Sequence, residues 1–227
     1  MQQHFEQLQE KMKITKPYDF KKIFDPHLPV MPVVSLNSES LVAPFMDTLL
    51  ENDIHLIEVT LRSPNALKII ENISKSYPEI VLGAGTLTVA RQFKQVKNAG
   101  GQFVVSPGYT NELAKAAQSS NLPFIPGVAT ASEIIHARQS GYNILKFFPA
   151  ELSGGSKFVK AMQGPFADVQ FCPTGGINLK NLNDYLSLEN VFCVGASWIT
   201  PQNLIEQQDW KKISERISEM KSIMTVD

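Results

Sequence analysis

The run Ile144-Leu145-Lys146-Phe147-Phe148-Pro149-Ala150-Glu151 sets one lysine inside an apolar segment that ends at a proline turn. An ammonium group is strongly disfavoured in apolar surroundings, so a lysine held there is either paired with a carboxylate or partly deprotonated. A free amine attacks a ketone and forms a Schiff base. The plainer reading is a lysine whose stem lies along apolar surface while its head reaches a strand end and pairs there. The segment alone leaves both readings open.

Six further stretches bear on the chemistry. In His55-Leu56-Ile57-Glu58-Val59-Thr60-Leu61-Arg62, strand alternation puts Ile57, Val59 and Leu61 on one face. Glu58, Thr60 and Arg62 share the other face, with Leu56 below them. Such a strand is either amphipathic with one solvated face or a carrier of catalytic groups, and Glu58 also suits the plain role of ion-pair partner to Lys146. Gly83-Ala84-Gly85-Thr86 leaves space beside a hydroxyl. Ser106-Pro107-Gly108 and Pro126-Gly127 read first as tight turns, with Pro107 a candidate for a pocket wall. Pro173-Thr174-Gly175-Gly176-Ile177-Asn178 and Gly195-Ala196-Ser197 are either ordinary glycine turns or a phosphate cradle, in which backbone N–H groups approach an anion.

Taken together, these residues predict a specific reaction. Lys146 forms a Schiff base with a 2-oxo acid, and the protonated imine is an electron sink for cleaving the C3–C4 bond. Glu58 shuttles protons during dehydration and at the departing hydroxyl. Arg62, with Thr86 assisting, clamps the oxo-acid carboxylate. The glycine loops, with Ser197, hold the far end of a sugar acid phosphate. Phe147 and Phe148 keep the amine poorly solvated, although alternation turns Phe147 outward and leaves Phe148 on the face of Lys146.

These groups need a scaffold that brings distant segments together. Eight apolar runs recur at roughly 20–26 residues, about one strand-plus-helix unit each. They are Val30–Val34, His55–Leu61, Ile80–Ala84, Phe103–Val105, Pro123–Pro126, Ile144–Phe148, Val169–Cys172 and Val191–Val194. Between them lie helix signals. Ser63-Pro64 reads as an N-cap with proline at the first helical position, and Thr130-Ala131-Ser132-Glu133 reads as a capping box. Ile213, Ile217, Met220 and Met224 form one stripe of a closing amphipathic helix. The arithmetic is that of an α/β (β/α)8 TIM barrel, expected as one domain over 1–227 with an additional N-terminal helix over 1–24. An open doubly wound sheet competes, but its Gly-rich dinucleotide turn is missing. In a barrel, residues from alternate strands share a layer, so Glu58 and Lys146, on strands two and six, are expected to meet across the lumen. The loops after strands seven and eight are also where barrels hold phosphate.

Composition narrows the partners. The chain has 227 residues, 43% hydrophobic and 19% charged, with a net charge of -1. That balance points to no nucleic acid and no anionic membrane surface. No apolar run approaches a membrane span, and the first residues are polar, so a cytoplasmic setting is expected. Cys172 and Cys193 read as small buried residues, and four scattered histidines offer no metal-ligand spacing, so no metal is expected.

The motif set, in this order and from about residue 28 onward, resembles the 2-keto-3-deoxy-6-phosphogluconate (KDPG) and 4-hydroxy-2-oxoglutarate (KHG) aldolase family. The matching segments are Glu58-Val59-Thr60-Leu61-Arg62, Gly83-Ala84-Gly85-Thr86, Ser106-Pro107-Gly108, Lys146-Phe147-Phe148-Pro149-Ala150-Glu151, Pro173-Thr174-Gly175-Gly176-Ile177 and Gly195-Ala196-Ser197-Trp198. The resemblance implies a barrel, usually a homotrimer, that splits the phosphorylated keto-deoxy sugar acid into pyruvate and glyceraldehyde 3-phosphate, with no organic cofactor or metal. By that resemblance Lys146 is the Schiff-base residue and Glu58 the proton-transfer residue. Arg62 and Thr86 bind the pyruvate-end carboxylate, and Thr174, Gly175, Gly176 and Ser197 surround the substrate tail and its phosphate. One departure is Ala196, where the family commonly has glycine, and its methyl is expected to crowd the phosphate nest. Two other readings stand beside this one: another phosphate-binding barrel enzyme, an isomerase or synthase using Glu58 for acid–base work, and a non-catalytic phosphosugar sensor.

Overall fold

A computed structural model describes residues 28–224. The helix expected over 1–24 lies outside the described residues. From Val30 onward, strands alternate with helices, except that Phe124–Ile125 and Gly127–Val128 follow each other directly, and every strand pairing is parallel. The strands are β1 (Val30–Val34), β2 (Leu56–Thr60), β3 (Val81–Gly85), β4 (Phe103–Val105), β5 (Phe124–Ile125), β6 (Gly127–Val128), β7 (Ile144–Phe147), β8 (Gln170–Pro173) and β9 (Val194–Ala196).

They form two hydrogen-bonded pieces, a six-stranded sheet in the order β5-β4-β3-β2-β1-β9 and a three-stranded sheet β6-β7-β8. The expected fifth strand is thus split at Pro126, which has no N–H to continue a ladder but whose carbonyl accepts from Lys146 N at 2.9 Å. At the other junction, β8 meets the β9 segment only through isolated bridges, Phe171 to Val191 and Thr174 to Gly195. The two pieces curl about one interior. Met31, Leu56, Phe103, Val105 and Ile125 from the larger sheet share a buried cluster with Cys172 of the smaller one and with Cys193.

Strand alternation holds as read. Ile57 and Val59 of β2, with Leu145 and Phe147 of β7, pack outward into the main core against the helices. Phe147 stacks on Phe158 at 4.8 Å between ring centroids. Phe158 belongs to the helix Gly155–Met162, which follows β7.

Local signals explain most boundaries. Thr130 and Glu133 form the capping box of the helix Ala131–Gln139. The last helix, Trp210–Met224, buries Ile213, Ile217 and Met220. The expected cap at Ser63 is not made. That helix begins at Ala66, and Ser63 Oγ instead donates to the Leu36 carbonyl at 2.9 Å, tying the β2 loop to the β1 loop. The last strand is also shifted from the expected Val191–Val194 to Val194–Ala196. The Asn190 turn holds the earlier residues, accepting from Phe171 N at 2.7 Å and donating to the Val159 carbonyl at 2.8 Å. Gly195 and Ala196 then pair with Met31 and Pro32.

Candidate active site

Lys146 is placed by β7, whose register aligns it with Gly127 on one side and Cys172 on the other. Glu58 is placed by β2, between Val33 and Gly83. The two side chains meet in the interior. Lys146 Nζ lies 3.2 Å from Glu58 Oε1 and 3.4 Å from Oε2, with side chains 7% and 0% exposed. A buried pair of this kind is held by mutual compensation, because either charge alone would be stranded without water.

Space for the carboxylate comes from the neighbouring strand. A Cβ on Gly85 would lie 1.8 Å from Glu58 Oε1. Only glycine at this position lets Glu58 reach the lysine. Below the pair, the cluster containing Phe103, Cys172 and Cys193 closes the floor. The Cys193 and Cys172 sulfurs lie 3.2 Å apart, and burial, then the contact with Cys172, pushes the Cys193 thiol well above its ordinary pKa.

Above the pair opens a pocket of about 560 Å³. Lys146 forms its base, and Arg62, Thr86 and Pro107 stand on one side. Phe148 also lines it, with its ring centroid 5.5 Å from Lys146 Nζ, within cation–π reach. Thr86 has φ +63°, a conformation rare for a β-branched residue. Its place is fixed by the next residue, since Leu87 N donates to the Val105 carbonyl at 3.2 Å.

The far wall carries Thr174, Gly175 and Ser197. Gly195 makes room for Thr174, because a Cβ there would fall 2.2 Å from Thr174 Oγ1. Gly175 has φ +99°, and its backbone packs under the Phe148 ring. Gly176, with φ +83°, is not a lining residue and lies against the side chain of Glu151. Ala196 is fully buried in the outer core, so its methyl faces the helices and does not crowd the pocket as expected.

Eight of the ten expected residues therefore line one pocket, with Glu58 under its base and Gly176 behind its wall. Sequence reasoning missed Ser35, Thr200 and Gln202, which also line it. Ser35 had a signal, because alternation from Val33 turns it inward, where its Oγ sits 2.6 Å from Thr60 Oγ1. Thr200 and Gln202 follow the last strand and have no distinguishing pattern. Among the described residues, no group of three His, Cys, Asp or Glu could hold a metal ion, and no helix is long and apolar enough to cross a membrane.

A family model described as KDPG and KHG aldolase matches residues 25–216. The chain is 43% identical over 189 residues to the 2-dehydro-3-deoxy-phosphogluconate aldolase of Pseudomonas aeruginosa, covering 83% of this chain and 86% of that one. Among solved structures it is similar to the KDPG aldolase of Legionella pneumophila, described with pyruvate captured at low pH as a covalent carbinolamine intermediate. That match has 44% identity and a TM-score of 0.82, over 86% of this chain and 97% of that one. The 2-keto-3-deoxy-6-phosphogluconate aldolase of Zymomonas mobilis ZM4, solved with 3-phosphoglycerate, matches at 36% identity and a TM-score of 0.83, over 91% and 96%. The residues matched by the family model include both strands that bring the lysine and glutamate together, and this chain belongs to the KDPG and KHG aldolase family.

Proposed function

We propose that this chain is a class I aldolase that cleaves 2-dehydro-3-deoxy-6-phosphogluconate to pyruvate and glyceraldehyde 3-phosphate, and 4-hydroxy-2-oxoglutarate to pyruvate and glyoxylate. The observation that carries this reading is the contact between Lys146 and Glu58 at the base of the pocket. The family match and the carbinolamine described for the Legionella relative support it.

The Lys146 amine attacks the C2 ketone to give a carbinolamine. Glu58 delivers the proton with which the C2 hydroxyl leaves as water, yielding the iminium. The C4 hydroxyl then loses its proton toward Glu58. The C3–C4 electron pair moves into the iminium, releasing the aldehyde and leaving an enamine. Protonation at C3 and addition of water release pyruvate and the free amine. The chemistry draws on no metal or organic cofactor, since the iminium nitrogen is the electron sink. Arg62 and Thr86 hold the C1 carboxylate, with Pro107 and Phe148 walling the reacting carbons. Thr174, Gly175 and Ser197 hold the tail and phosphate through hydroxyl and backbone donors, and Gly176, behind the wall, shapes the turn that presents them.

The same reading includes a closed eight-stranded (β/α)8 barrel in one domain spanning the chain, with β5 and β6 as one strand. The shared interior cluster and the bridges from β8 toward β9 support that closure. A homotrimer in the cytoplasm completes it, and two free buried cysteines with sulfurs 3.2 Å apart suit a reducing compartment.

Borohydride reduction in the presence of pyruvate tests the proposal. The expected outcome is irreversible inactivation and a pyruvate-derived mass on the peptide containing Lys146. Absence of an adduct at Lys146 would refute it.

A further inference from the structure

Glu151 closes the lysine segment but has no part in the chemistry above. Its surroundings are unusually constrained for an exposed carboxylate. Its Oε1 accepts a hydrogen bond from the hydroxyl of Tyr185, a fully buried residue of the helix Leu182–Leu186. Its Cβ and Cγ lie against Gly176, where an added Cβ would sit 2.6 Å from each. Its backbone continues the pairing of the two segments, with Ala150 N donating to the Thr174 carbonyl at 2.8 Å and Glu151 N to the Gly175 carbonyl at 3.1 Å. The loop then doubles back, with Gly155 N donating to the Ala150 carbonyl at 2.9 Å.

These contacts close a circuit. It runs from Lys146 along the chain to Glu151, across to Tyr185, and back through residues 177–182 to the Gly175-Gly176 turn. Tyr185 follows that turn, so a Glu151–Tyr185 bond fixes both sides of it. A buried phenol without an acceptor is costly, which makes the bond persistent. Burial, then the bond to Glu151, raises the Tyr185 phenol above its ordinary pKa, so it remains a donor. A carboxylate beside an anion-binding loop repels the anion, so a role in direct phosphate contact is disfavoured.

We infer that Glu151 and Tyr185 are a positioning pair that sets the glycine turn at the tail end of the pocket relative to Lys146, and so selects for substrates carrying a terminal phosphate. This rests on the phosphate placement proposed above.

The test compares Glu151→Ala, Tyr185→Phe and Glu151→Gln on the two proposed substrates, only one of which carries phosphate. Glu151→Ala and Tyr185→Phe are expected to raise KM for 2-dehydro-3-deoxy-6-phosphogluconate by about tenfold, the worth of one such hydrogen bond. Their kcat/KM on 4-hydroxy-2-oxoglutarate and their trapping of pyruvate by borohydride are expected to stay near wild type. Glu151→Gln keeps an acceptor and removes the charge, so its KM is expected at the wild-type value or below it. Because Glu151 is exposed, Glu151→Ala carries the test even where Tyr185→Phe fails to fold. Equal losses on both substrates, unchanged KM values, or no rescue by glutamine would overturn the inference. A wild-type protein that cleaves neither substrate would instead sink the proposed function itself.

Discussion

Replacing Gly85 with alanine adds one methyl group outside the reacting atoms and tests whether the glutamate must stand where it does. The new Cβ would lie 1.8 Å from Glu58 Oε1, 2.5 Å from Cδ and 2.7 Å from Cγ, whereas ordinary contact begins at 3.4 Å. Relief therefore requires the carboxylate to retreat by roughly 1.6 Å or β3 to move, and misplacement on the ångström scale costs on the order of 100-fold in rate. Glu58 is fully buried, so it has no solvent into which to swing. A carboxylate pushed away also leaves Lys146 less compensated, and losing a buried partner outright destabilises by about 3–5 kcal/mol, an upper bound here. The assay is pyruvate release coupled to NADH oxidation, with thermal unfolding measured alongside. A folded Gly85→Ala protein is expected to lose about two orders of magnitude in kcat. Turnover within about threefold of wild type would refute the claim that the 3.2 Å placement of Glu58 against Lys146 is needed for proton transfer.

Other perturbations separate neighbouring roles. Glu58→Gln is expected to retain measurable borohydride trapping of pyruvate while turnover falls by about 10²–10⁴-fold, and unchanged turnover would remove Glu58 from proton transfer. On the surface, the Arg138 guanidinium donates to Asp168 at 2.8 Å and lowers that carboxyl below its ordinary pKa of 3.8. A depressed folded pKa contributes stability that is present above the unfolded value and is lost as pH falls through the folded one. Arg138→Ala is therefore expected to lower stability at neutral pH by less than about 1 kcal/mol, as for an exposed pair, read as a slightly lower Tm. That difference should vanish in acid below the folded Asp168 pKa, and a gap that persists there would refute the linkage.

Much of the site was legible in the sequence because strands impose a period of two. Alternation put Glu58, Thr60 and Arg62 on one face and Lys146 and Phe148 on another, and the fold brings those faces to one pocket. The lysine was conspicuous for an equally local reason, since a charge among Ile, Leu and Phe has to be compensated. Capping at Thr130 was likewise local, being decided within four residues. Other features depended on neighbours far along the chain. Ser63 had a better partner in the Leu36 carbonyl than in its own helix, and the last strand formed where β1 offered a ladder, at Gly195 and Ala196. Ala196 faces the helices and not the pocket because the face of a strand residue follows from register, which only that pairing fixes. Which side chains are available for Schiff-base chemistry, and on which strand faces they stand, follows from residue type and alternation alone. How closely they meet is set by packing between strands, because the absent Cβ of Gly85, on a different strand, is what makes the 3.2 Å approach of Lys146 to Glu58 possible.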